Sequence, residues 1–93
     1  MRYGVHFDTN DYCTVFEGRD TEEDTREYIK ELIQQYINEG ISEGYTLVDE
    51  ETIIDDTGAY MTFAKSDNDF YYVYLSLVTD EGKGWMDMDG ELI

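Results

Sequence analysis

The residues of this chain able to do chemistry are almost all carboxylates. Glu23, Glu27 and Glu31 recur every four positions, with Asp24 beside the first. Asp49-Glu50-Glu51 and Asp55-Asp56 form a second group, and Asp67 with Asp69 a third. Clustered carboxylates can hold calcium, work in pairs on a glycosidic bond, or meet the cationic side chains of a partner. A calcium loop needs alternating acids, a central Gly and a bidentate Glu at its closing position. Asp87-Met88-Asp89-Gly90 opens like such a loop, but the residues up to Ile93 supply no closing Glu, and Asp55-Asp56-Thr57-Gly58 lacks the alternation. Among 23 acids no catalytic pair can be singled out. His6 and Cys13 are the only His and Cys. They are seven residues apart in two predicted strands, so their relative facing is open, and they read as a surface His and a core Cys rather than a nucleophile pair. There is no Gly-rich phosphate loop and no zinc spacing. The expectation is a chain without metal or cofactor, and not an enzyme.

The elements that must carry these carboxylates alternate in period. Tyr3, Val5 and Phe7 alternate with Arg2, Gly4 and His6, the two-residue period of a half-buried strand. Asp8-Thr9-Asn10-Asp11 reads as a turn, and Tyr12 to Glu17 as a second strand that completes a hairpin. From 21 to 39 the period changes. Tyr28, Ile29, Leu32, Ile33, Tyr36 and Ile37 line one side of a helix. Asp20 or Thr21 can cap its start, with an acid three residues on, and Gly40 reads as its left-handed end, followed by Ile41 folding back on the last turn.

Strands then return. Tyr45 to Val48 is short, Thr52-Ile53-Ile54 continues it or begins another, and Asp55 to Gly58 turns. Ala59 to Lys65 alternates with Met61 and Phe63 on one face. Phe70 to Val78 is the longest strand, with Tyr71, Val73, Leu75 and Leu77 on one face and Phe70, Tyr72, Tyr74 and Ser76 on the other. Trp85 to Met88 is a possible last edge strand. The order β-β-α-β-β-β predicts a single α+β domain over residues 1–93, with one antiparallel sheet and the amphipathic helix across one face. Tyr72 and Tyr74 then face away from the helix, either exposed as interface residues or paired across strands with Met61 or Phe63.

On the predicted helix, Glu23, Glu27 and Glu31 form a column with carboxylates about 6 Å apart. Like charges at this spacing cost a few tenths of a kcal/mol each. Acids in the first turn suit the helix dipole, which accounts for Glu22, Glu23 and Asp24 but does not reach Glu31. Glu22 with Arg26 and Glu27 with Lys30 offset part of the repulsion. The column is either a solvated face or a stripe that binds a partner.

The charge total points the same way. With 6 Lys plus Arg against those acids, the formal net charge is −17 on 93 residues. A compact chain of this length is roughly 30 Å across, a length over which duplex DNA carries on the order of 18 charges. Such a body is disfavoured as a binder of nucleic acid or of an anionic membrane and favoured as a binder of basic proteins. No apolar run reaches the roughly 20 residues of a membrane span, Met1 to Phe7 lacks a signal peptide's apolar stretch, and one Cys fits a reducing cytoplasm.

In size and charge the chain is similar to phage-encoded DNA mimics that block restriction enzymes or CRISPR effector nucleases. That resemblance implies an anti-restriction or anti-CRISPR inhibitor of a basic nucleic-acid-binding protein. Glu23, Asp24, Glu27, Glu31 and the Asp49, Glu50, Glu51, Asp55 and Asp56 group would take the place of phosphates. Two alternatives stand beside it: an immunity-type protein that neutralises a nuclease toxin, and a salt-adapted surface on a domain of unrelated function.

Overall fold

Two strands, one helix and five further strands follow each other along the chain. The computed structural model describes all residues from Met1 to Ile93. Strands β1 (Arg2–Thr9) and β2 (Cys13–Glu17) make the first hairpin and α1 covers Glu22–Ser42. β3 (Thr46–Leu47), a 3₁₀ turn (Asp49–Glu51), β4 (Ile53–Asp55), β5 (Gly58–Ser66), β6 (Asp69–Asp80) and β7 (Trp85–Asp87) complete the chain. All strands join one antiparallel sheet of spatial order β2-β1-β6-β5-β3. β4 follows β3 along the outer side of β5, and β7 pairs with the end of β6 that runs past β5. The chain thus has the predicted α+β architecture, with more strands than the sequence pattern resolves. Thr52-Ile53-Ile54 does not prolong β3, because the 3₁₀ turn at Asp49–Glu51 separates them.

Strand alternation decides which side is buried. Val5 and Phe7 of β1 pair with Leu77 and Leu75 of β6, and Met61 and Phe63 of β5 pair with Val73 and Tyr71. Antiparallel partners point to the same face, so these side chains form one apolar surface. Ile29, Leu32 and Ile33 of α1 close it, giving a core of 11 buried residues. The helix starts where Thr21 caps it, the Thr21 Oγ1 accepting the Asp24 N–H at 3.1 Å.

Its end differs from the sequence expectation. Gly40 is not the left-handed terminus: α1 continues to Ser42, and Gly44 takes the positive φ of 89°. The Gly44 and Tyr45 N–H groups bond the Ile41 and Gly40 carbonyls at 3.0 and 2.9 Å, the paired bonds of a Schellman ending. Gly40 serves close packing instead, since a Cβ there would lie 2.8 Å from Phe63 Cδ1 and 2.9 Å from the Tyr71 hydroxyl. Ile41 consequently stays 59 % exposed rather than folding back. Cys13 also departs from expectation: it is exposed, because it pairs with Asp8 on the side of β1 that the helix does not cover.

Two outcomes follow for urea unfolding. Leu32→Ala and Leu75→Ala should each cost about 2–5 kcal/mol. Gly40→Ala, which in an open helix would gain about 1 kcal/mol, should destabilise by about 1–3 kcal/mol through overpacking against Phe63. A stabilised Gly40→Ala would refute the close-packing role.

Candidate protein-binding surfaces

The acidic column is where the sequence places it. Glu23, Asp24, Glu27 and Glu31 are all exposed on the side of α1 that faces away from the sheet. Lys30 donates to Glu27 Oε1 at 3.1 Å, and Arg26 lies 3.7 Å from Glu22. Glu23, Asp24 and Glu31 have no cationic partner. The third ion pair of the chain joins Arg2 to Asp80, so 3 pairs stand against 23 acids.

The second acidic group divides by role. Asp49, Glu50 and Glu51 form the exposed 3₁₀ turn. Asp55 builds the β4–β5 turn: its Oδ1 accepts the Thr57 N–H at 2.8 Å, the Thr57 hydroxyl at 2.9 Å and the Gly58 N–H at 3.0 Å. These bonds, the Thr57 N–H first, hold its pKa below the ordinary 3.8. Asp56, beside it, is exposed. Asp80 is likewise held low, by Arg2 first and by the Gly82 N–H next.

Tyr72 and Tyr74 lie on the opposite side of the sheet from α1, half-buried. Their cross-strand partners are Thr62 and Tyr60; Met61 and Phe63, the partners considered from sequence, have the other parity and point into the core. Tyr72 stacks on Tyr60 with ring centroids 5.6 Å apart and planes 16° from parallel, and its hydroxyl donates to Asp8 Oδ1 at 3.4 Å. Partial burial first, and Asp8 next, raise the Tyr72 pKa. Tyr74 meets the His6 ring edge-on at 5.7 Å. His6 pairs with Val15, so Cys13, two residues away along β2, is its diagonal neighbour on this face.

The predicted residues therefore form two surfaces, not one. The helix column occupies one side of the molecule. On the other, Glu50 and Glu51 join Tyr72, Tyr60, Ile53 and Phe70 around a cleft of about 490 Å³. Sequence reading missed Tyr60 and Ile53 as site residues. The signal for Tyr60 was present, since it has the parity opposite to Met61 and Phe63. Nothing local placed Ile53, because its position depends on how β4 registers on β5. No three His, Cys, Asp or Glu side chains converge as a metal site, and no helix is long and apolar enough to cross a membrane. Comparison with protein-family models, curated proteins and solved structures finds no match for this chain.

The body measures 43 × 22 × 19 Å, longer than a sphere of its mass. Duplex DNA of that length carries about 25 charges, so a net charge of −17 is roughly two-thirds of DNA's. Self-repulsion on this scale should make stability depend on screening. The melting temperature should rise by several degrees between low salt and about 0.15 M, where the Debye length is about 8 Å. A flat salt profile would show that the charge does not strain the fold. The lowered Asp55 pKa gives a second readout. A carboxylate held low contributes stability that is present above its unfolded value and lost as pH falls through its folded one. The melting-temperature gap between the parent and Asp55→Ala should stay constant from about pH 7 to 5, then narrow below 3.8.

Proposed function

We propose that this chain is a protein inhibitor that occupies the nucleic-acid site of a basic enzyme, of the CRISPR effector nuclease or restriction enzyme kind, in the cytoplasm. The observation that carries the reading is an elongated body with 23 acids and only 3 intramolecular ion pairs. Glu23, Asp24, Glu27 and Glu31 offer the target's Arg and Lys side chains a row of acceptors in place of phosphates, and charge-assisted bonds to Arg are the strong ones. Asp49 and Asp56 add exposed carboxylates at the sheet edge, apart from the column, while Asp55 is committed to its own turn. Long-range attraction accelerates encounter and falls with salt. The chain itself carries out no reaction in this scheme and needs no cofactor.

The uncovered aromatic face favours a second reading, in which the partner is a basic nuclease toxin neutralised through a surface that does not copy DNA. The two readings part on one measurement. A mimic competes with the target's nucleic acid, whereas an immunity-type protein can bind while nucleic acid stays bound.

The test is the triple change Glu23→Gln, Glu27→Gln, Glu31→Gln, which keeps size and hydrogen-bonding capacity. It should leave the fold intact or slightly more stable by removing like-charge neighbours. Affinity for a nuclease target should fall by about 1–3 kcal/mol per lost charged contact, and the target's nucleic acid should be displaced less well. Full affinity and full competition in this variant would remove the column from the interface.

A further inference from the structure

The chain has only 6 cationic side chains, and three of them lie over its own aromatic rings. Arg2 sits 4.9 Å from the Trp85 centroid, Arg19 3.9 Å from Tyr28 and Lys65 4.6 Å from Tyr45. These are cation–π distances, which extend to about 6 Å. The stacked Tyr60–Tyr72 pair on the uncovered face has no such cation. Phe70 and Ile53 beside it are 58 % and 68 % exposed. Together these four line the 490 Å³ cleft, and its acidic wall is Glu50 and Glu51; no Lys or Arg lines it. A smaller hollow of about 250 Å³ shares Glu51 and Phe70 and adds Asp67.

The chemistry of this lining selects among occupants. An anion would meet carboxylates at short range. A wholly apolar segment would strip water from Glu50 and Glu51 and return no partner to them, which is costly. A second copy would bring another −17 and its own acidic wall. A guanidinium on an aliphatic stem satisfies each part of the wall, because it stacks flat on an aromatic ring and donates to carboxylates at its edge. We propose that the cleft is a docking site for an arginine side chain of a basic partner. Tyr60 and Tyr72 receive the guanidinium plane, Glu50 and Glu51 accept its N–H groups, and Ile53 and Phe70 cover the methylene stem. The inference rests on the basic-partner reading above but concerns the face opposite the helix column.

The test is an NMR titration of the isotope-labelled protein with hexa-arginine and hexa-lysine peptides at about 0.15 M salt. Amide shifts should concentrate on residues 50–53, 60 and 70–72. Hexa-arginine should bind about fivefold or more tightly than hexa-lysine, because a planar guanidinium stacks flat on the ring while donating to the carboxylates at its edge, whereas an ammonium offers a point charge alone. Tyr60→Leu and Tyr72→Leu, checked for retained fold, should erase most of that preference. The pair Glu50→Gln, Glu51→Gln lies on an exposed turn and should weaken both peptides by about fivefold or more without touching the core. Equal affinities, shifts confined to α1, or indifference to these variants would overturn the proposal. A concentration-dependent dimer that protects the same amides would assign the face to a second copy instead. The column reading fails or stands separately, since its triple variant is scored on a nuclease and its nucleic acid rather than on peptides.

Discussion

A sheet has two faces, and this chain has one helix with which to cover them. That limit governs the rest of the structure. The helix is laid across the side where Val5, Phe7, Met61, Phe63, Val73, Leu75 and Leu77 converge, and the fit is tight enough that a glycine is needed at 40 to admit Phe63. β6 anchors the arrangement because it bonds β1 on one side and β5 and then β7 on the other. The far face is covered only at one end, where Trp85 packs against Gly4 and carries Arg2 over its ring. At the other end Tyr60, Tyr72, Phe70 and Ile53 have no element above them.

Some of the acids are committed inside the chain and the rest are not. Asp is short enough to bond nearby backbone N–H groups and so builds turns. Asp55, Asp80 and Asp87 each do this, and Asp8 and Asp69 accept hydroxyls from Tyr72 and Tyr45. Glu is longer and finds little to hold: Glu22 and Glu27 pair with cations, while Glu23, Glu31, Glu50 and Glu51 make no side-chain bond within the chain. The net charge thus has two origins, and the acids without a bond inside the chain, Asp24, Asp49 and Asp56 as well as these glutamates, are the ones free to meet a partner. Exposed ion pairs contribute little to stability in any case, so leaving these glutamates unpaired sacrifices little of the fold.

Legibility in the sequence followed the range of the forces. The stripe from Tyr28 to Ile37 and the alternation through Tyr71, Val73, Leu75 and Leu77 are local periodicities, and both elements form where they predict. Gly40 was read wrongly because a glycine after a helical run serves equally as a terminus or as room for a neighbour, and the neighbour, Phe63, is far along the chain. Cys13 was read as core on residue type, although its facing depended on its register with Asp8. The cleft was invisible for the same reason, since it assembles the 3₁₀ turn, β4, β5 and β6 through their registers. Its acids and Tyr72 are legible from residue type and alternation, but not their meeting with Tyr60 and Ile53.

The uncovered face and the charge are better understood together than apart. Contiguous exposed apolar surface ordinarily drives self-association. Here any two copies approaching through that face each carry −17, and the acids Glu50, Glu51 and Asp67 stand at its edge. Repulsion at close range opposes homotypic contact while it draws a basic protein in, so one field does both discriminations. The energy involved is small beside the core: a like-charge pair on a helix costs a few tenths of a kcal/mol, whereas one truncated core leucine costs about 2–5. A sheet closed on one side by a well-packed helix can therefore tolerate an acidic surface and an open aromatic cleft at once. For a basic partner of the kind proposed, charge without the cleft would lack shape selectivity, and the cleft without charge would leave contact between copies unopposed.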